Sequence, residues 1–416
     1  MVYKFLVLAL LITVIPFKAI ANDSGEEASY LINDIVISGL KRTKNHILEN
    51  PLKKFIGQDA SKIDINDIHT AIIETGILEP VSIELEGDPQ KQGKILKVEV
   101  SEKWTIFPLP VFFINSGGII GGGLGFVDLN ALGLNDKFII GGMIDSDGWL
   151  AATTYFRTPD ASNSPGWHII LLYSKRESIN SDEKNQDIRK FGLTTFLGSA
   201  GLNYQIKELI TASLNLSFAD KKIHDIDTPL AVPENGGSAV NIQPGIRIRK
   251  NNWDGYFLSQ RSIEMGYTYS IGIDHPLFYK IDIEANFEKS LLPGFRMLAR
   301  AGAIYAPQAP PLFESRPGAV NIDILPQSFS AQNFLGCSAG LEKCILKGSH
   351  GTLSILSSYQ VVYSDGLILG ERIDHGVLTA IRFYLSRIAI PAVGLGVSYN
   401  VTARHLQGAF NIGMSF

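Results

Sequence analysis

The chain has 416 residues, of which 45% are hydrophobic and 19% charged, with 40 Gly, 19 Pro and 2 Cys. A formal net charge of −4 leaves no surplus of Lys and Arg to neutralise a phosphate backbone, so nucleic acid is not an expected partner. Two cysteines exclude a disulfide-stapled mini-domain and any four-thiolate metal site, and the apolar content excludes a disordered polymer.

Residues 1–21 read as a secretory signal peptide. Lys4 supplies the basic start, residues 5–17 the apolar stretch, and Ala19-Ile20-Ala21 the small-x-small cleavage site. An uncleaved anchor is the alternative, but the apolar run ends at Lys18, too soon to span a bilayer. Residues 22–30 form a polar, acidic, flexible lead-in. Residues 31–103 then alternate as a small α+β domain in the order β-α-α-β-β. The first strand covers 31–38. A helix over 45–55 puts Ile47, Leu48, Leu52 and Phe55 on one stripe, with Pro51 as a break or kink. A second helix over 63–74 has Asp64 or Asn66 to cap it, and strands at 81–85 and 95–100 follow.

From residue 104 onward the helical period vanishes. The most apolar stretch, 104–126, contains Pro108, Pro110 and many glycines, which a membrane helix would not tolerate. Alternating stretches recur instead, fourteen of them clear, from 121–128 to 405–416, separated by turn chemistry such as Asp147-Gly148. Adding 107–114 and a stretch near 324–334 predicts about 16 strands. In the last one Leu406, Gly408, Phe410, Ile412, Met414 and Phe416 share one face, while Gln407, Asn411, Gly413 and Ser415 share the other. Greasy outside and small or polar inside is the alternation of a strand between lipid and a lumen. Aromatics near strand ends, among them Trp149, Tyr155, Trp167 and Tyr173, suit interfacial girdles. The expected class is therefore mainly β: a transmembrane antiparallel β-barrel over 104–416, preceded by one small α+β domain.

These residues carry a resemblance. Residues 31–103 resemble a POTRA domain through Ile37-Ser38-Gly39-Leu40-Lys41-Arg42-Thr43, Gly57, Thr75-Gly76-Ile77 and the closing Leu96-Lys97-Val98-Glu99-Val100. Residues 104–416 resemble the barrel of the BamA/TamA superfamily of outer-membrane assembly and secretion proteins. The stretch 121–133, with Gly125-Phe126-Val127-Asp128-Leu129-Asn130, is similar to that family's early hairpin, and the strand ending at Phe416 to its targeting signal. The resemblance implies an outer-membrane barrel with its POTRA domain in the periplasm. Implied partners are membrane lipid, extended or unfolded client polypeptides, and periplasmic accessory proteins.

Two departures from the family pattern stand out. Its sixth extracellular loop carries an Arg-Gly motif whose Arg pairs with the Asp of an F-x-D-x-G strand. Here Arg372-Ile373-Asp374-His375-Gly376 supplies the Asp and Gly with Arg at the Phe position, and the loop is read as Gly340-Leu341-Glu342-Lys343-Cys344. Lys343 is the candidate cation for Asp374 beside Gly376, with a solvated loop lysine as the alternative. The second departure is a single POTRA domain where the assembly proteins have several.

Other chemistry is sparse. Cys337 and Cys344 fall in one predicted loop of an exported chain, where a disulfide is the expected state and a metal pair with His350 the weaker alternative. No nucleophile elbow or histidine metal motif occurs, so no catalytic residue, metal or cofactor is expected, and an enzyme is not. The resemblance implies capture of client segments at a POTRA sheet edge, here assigned to Lys97 and Glu99, and lateral opening between the first and last strands. Pro108 and Pro110 remove ladder donors from the first strand and weaken that seam, unless they belong to the linker. A passive or gated pore without insertase activity is the second reading.

Overall fold

A computed structural model of the chain describes residues 30–89, 92–114, 120–159, 164–226, 236–273, 277–386 and 393–412. The expected signal peptide, nearly all of the lead-in, Met414 and Phe416 lie outside the described residues. Among the described residues no helix is long and apolar enough to cross a membrane.

The N-terminal unit contains β1 (Ile32–Ser38), α1 (His46–Leu52), α2 (Ile65–Ile73), β2 (Leu78–Gly87) and β3 (Lys94–Glu102). Pro51 sits inside α1, whose next residues tighten into a short 3-10 turn, Lys53–Phe55. The cap of α2 is Asp64, whose carboxylate accepts from the Asn66 N–H at 2.8 Å. Leu48, Leu52, Ile68 and Ile72 pack on Leu96 and Val98 to form the core, all at most 1% exposed. The sheet order is β1-β3-β2, with β1 parallel and β2 antiparallel to β3. This corrects one expectation. Lys97 and Glu99 lie on the central strand, laddered on both sides, so they mark no free edge. The crossover from β1 and the β2–β3 hairpin both deliver partners to β3 and leave β1 and β2 as the edges. Lys97 instead pairs with Glu86 on the exposed face at 2.6 Å.

The second unit is one antiparallel sheet of sixteen strands in chain order. Its first half is β4 (Ile106–Ile114), β5 (Ile120–Ala131), β6 (Asp136–Asp145), β7 (Gly148–Arg157), β8 (Gly166–Ser181), β9 (Asp187–Lys207), β10 (Ile210–Ile226) and β11 (Gly237–Trp253). Its second half is β12 (Leu258–Gly272), β13 (Phe278–Leu292), β14 (Phe295–Tyr305), β15 (Asn333–Gly348), β16 (Gly351–Gly366), β17 (Gly370–Leu385), β18 (Val393–Asn400) and β19 (His405–Ile412). Outward residues alternate as expected: Leu214, Leu216 and Phe218 are exposed on β10 while Ser217 is buried. Two aromatic pairs lie on the outer face of β7 and β8, Trp149 with Tyr173 near one end and Tyr155 stacked on Trp167 near the other.

Pro108 and Pro110 lie within β4, opposite Phe126 and Leu124 of β5, and not in a linker. Phe410 and Ile412 are in β19, opposite Leu395 and Val393 of β18. The strand near 324–334 is replaced. Residues 337–344, expected within a loop, belong to β15, and 306–332 is the connection between β14 and β15. The inward face of β15 carries Gly336, Gly340 and Glu342, which conceals its alternation, whereas Val320, Ile322, Ile324 and Leu325 imitate a core strand because they pack inside the wall without joining its ladder.

The expected disulfide is also corrected: both cysteines are free thiols. Cys337 and Cys344 are on opposite faces of one extended strand, separated by roughly 23 Å at the usual rise, far beyond the span a disulfide bridges.

Candidate functional site

Residues 306–332 turn inward from one rim of the barrel, the distal rim, opposite the N-terminal domain. Pro310, Pro311 and Pro317 keep the segment out of a ladder, and it forms two short 3-10 turns, Pro311–Phe313 and Pro317–Val320. Asn321 then takes a left-handed turn at φ 56°. The apolar side chains on either side of it, Val320, Ile322, Ile324, Leu325 and Phe329, are at most 2% exposed and pack against Ile304, Phe334 and Val362 of the wall.

Glycines shape the seat. A Cβ on Gly302 would lie 2.8 Å from Val320 Cα, one on Gly336 2.7 Å from Ile322 Cγ1, and one on Gly376 3.0 Å from Ile324 Cγ2. These three wall positions, on β14, β15 and β17, admit three alternate plug residues.

The plug is held at both ends. On one side Gln360 of β16 accepts from the Asp323 N–H at 2.9 Å and donates to its carboxylate at 3.2 Å. Ser398 of β18 donates to the Asp323 carbonyl at 2.6 Å, and Gln407 of β19 donates to the carbonyls of Asp323 and, at 3.0 Å, Leu325. On the other side the β8–β9 hairpin closes over it. Arg189 pairs with Glu314 at 3.0 Å with both side chains nearly inaccessible. Asn180 donates to Ser330 Oγ at 2.7 Å, Ser181 Oγ meets Ser328 Oγ, and Arg316 donates to the carbonyls of Ile179 and Ser328.

The predicted Lys343–Asp374 pair is not formed. Lys343 is an exposed residue of β15. Asp374 is fully buried and is gripped by Arg372 of its own strand at 2.6 and 3.0 Å, with Asn400 donating at 3.2 Å. Arg372 also reaches Glu183 in the β8–β9 turn, tying β17 to the opposite wall. Gly376 does receive the long connection, through Ile324 and not through a cation. The arginine of that connection is Arg316, which local alternation does not reveal because 324–334 imitates a strand.

Nearer the proximal rim the lumen wall carries a buried charge cluster. Arg296 pairs with Glu288 at 2.8 Å and Glu342 at 2.7 Å, Arg382 approaches Glu342 at 3.4 Å, and Tyr384 donates to Glu342 at 2.8 Å. Glu342 and Arg382 are at most 1% exposed although they face inward. Barrels of sixteen strands commonly leave an aqueous channel. Here these charges are shut off from water, so the lumen is closed around them.

The N-terminal domain docks across three proximal turns. Arg42 pairs bidentately with Asp128 at 2.6 and 3.0 Å, and Asn130 donates to Thr43 Oγ1 at 2.9 Å. Lys54 meets Glu208 of the β9–β10 turn at 3.0 Å, and Trp253 N–H donates to Thr70 Oγ1 at 3.2 Å. Glu102 organises the contact loop by accepting from the N–H groups of Lys41, Arg42 and Thr43 at 2.7–3.1 Å. Burial alone would raise the Glu102 pKa, but these hydrogen bonds outweigh it and hold the carboxyl below the usual glutamate range.

No family model and no curated protein matches the sequence. Among solved structures the chain is similar to BamA from Haemophilus ducreyi lacking POTRA domains 1-3, at 12% identity and TM-score 0.54, over 93% of this chain and 84% of that one. It is similar to CdiB from Acinetobacter baumannii at 13% identity and TM-score 0.60, over 92% and 74%. CdiB from Escherichia coli aligns at 11% identity and TM-score 0.54, over 96% and 90%. Identities this low speak for architecture alone. Because each alignment runs through both units, the chain as a whole has the fold of the BamA and CdiB barrels.

Proposed function

We propose that this chain is an outer-membrane β-barrel protein of the assembly or translocation type, exported by its signal peptide, with residues 31–103 acting as a POTRA domain in the periplasm. The observation that carries the reading is a lumen filled by 306–332 in a sheet whose end strands, β4 and β19, share no ladder among the described residues. A plugged lumen is unsuited to passive flow, and an unpaired pair of edges offers backbone groups to an extended client. Pro108 and Pro110, two residues apart, direct both missing donors to the same edge of β4, while the β4–β5 register runs without interruption. That favours the seam as the edge they weaken. Within the POTRA domain the client edge is β2, where the register shifts between Pro80 and Ser82 and Val81 is exposed.

Photocrosslinkers at Val81 and Glu84 of β2 and at Leu406 of β19, in the full chain in its native membrane, test the proposal. Capture of extended polypeptides at β2 and at the seam is expected, with loss of client insertion when 31–103 is deleted. No capture at either place, together with partner-independent conductance in planar bilayers, would establish the pore reading instead.

A further inference from the structure

The plug and the seam meet at one residue. Gln407 belongs to β19, an end strand of the sheet, laddered among the described residues on one side, by β18. Its side-chain amide donates to the carbonyls of Leu325, at 3.0 Å, and Asp323 in the plug. Leu325 is fully buried, so no water is at hand to replace that bond. The neighbouring plug bonds go to β16 and β18, strands secured by ladders on both sides. Gln407 is thus, among the described residues, a contact through which plug position reaches an end strand of the sheet.

We infer that Gln407 couples the plug to the seam, so that β19 parts from its surroundings only when residues 323–325 are withdrawn. This rests on the reading above that the seam opens laterally. Swinging β19 away while the plug stays would strand the Gln407 amide and a buried carbonyl without partners. Moving both together strands neither. At its far end the plug is clamped by Glu314, Arg316, Ser328 and Ser330 to the β8–β9 hairpin, so it forms a crossbar between that hairpin and the terminal strand. Release at the hairpin would then be felt at β19.

The test uses the full chain in lipid vesicles with Cys337→Ser and Cys344→Ser. The pair S181C and S328C, whose native hydroxyls touch, locks the plug to the hairpin by a disulfide that reductant reverses. Hydrogen exchange of β19 amides is compared with the lock closed and open. Closing the lock is expected to slow β19 exchange by about tenfold, the scale of one or two buried hydrogen bonds, and Gln407→Leu to abolish that difference. Ser398→Ala, which removes the plug bond to β18, is expected to leave it in place. An equal lock effect in Gln407→Leu, or no lock effect in the parent, overturns the coupling. Heat-modifiable gel mobility confirms that each variant is folded before exchange is read, and Gln407→Ala replaces Leu if it is not. Failure of the client reading shows separately, as absent crosslinks with the exchange coupling intact.

Discussion

Arg372 holds Asp374 from two residues away on the same face of β17, through bonds of 2.6 and 3.0 Å to the two carboxylate oxygens. The position that carries Phe in the family motif thus carries the cation itself, and the acid needs nothing from a loop. Removing Arg372 leaves a fully buried carboxylate with Asn400 as its remaining side-chain donor among the described residues. Arg372→Ala should therefore destabilise the folded barrel by about 3 kcal/mol. Lys343→Ala, on the exposed face of β15, should stay within about 0.5 kcal/mol. Urea midpoints of vesicle-folded protein give the order, and the reverse order would restore the Lys343 pairing.

The glycine seat makes a steric prediction. Gly302→Val sets side-chain atoms against the Val320 backbone, already 2.8 Å from an ideal Cβ. Overpacking of this kind costs about 1–3 kcal/mol. The plug, held by side-chain bonds, should yield before the laddered wall does. Protease cleavage within 306–332 should rise sharply while heat-modifiable mobility persists. Unchanged cleavage would mean the plug is seated elsewhere.

The cysteines offer a direct count. Alkylation of denatured protein without reductant should add two groups, because Cys337 and Cys344 point to opposite faces of β15. Mass spectrometry that found no alkylation, but two groups after reduction, would revive the disulfide and require β15 to be rebuilt.

Docking of the N-terminal domain should depend on acid. The folded pKa of Glu102 is depressed, so its contribution is complete above the unfolded value, about 4.3, and is lost as pH falls through the lower folded value. Amide protection at residues 41–43 should be flat from neutral pH down to about 5 and decline below about 4, after correction for intrinsic exchange. Glu102→Gln, which keeps an acceptor but no charge, should give lower protection without that acid step. An identical step in the Gln variant would assign it to another carboxylate.

Much of the architecture was legible in the chain itself. Alternation is a relation between residues i and i+2, and so is available without knowing the fold; it supplied the strand number and fourteen of the strands, besides β4. The cap at Asp64 and the break at Pro51 are equally local. At β15 and the plug the local signal is inverted. A wall strand that receives a plug presents Gly336 and Gly340 inward, whereas the plug itself presents Ile322, Ile324 and Leu325 like a core strand.

Partners set by closure of the sheet were beyond local reading. That Arg189 belongs to Glu314, that Arg372 reaches Glu183, and that Gln407 meets Leu325, 82 residues earlier, follow from which walls face one another. The sequence by itself determined a glycine-rich, lightly charged chain of alternating strands behind a small α+β domain, because period and turn chemistry are written locally. Only the tertiary structure decided which long segment fills the lumen and which residues hold it there. Burial inside a barrel is conferred by strands far away in sequence, and no property of the segment alone records it.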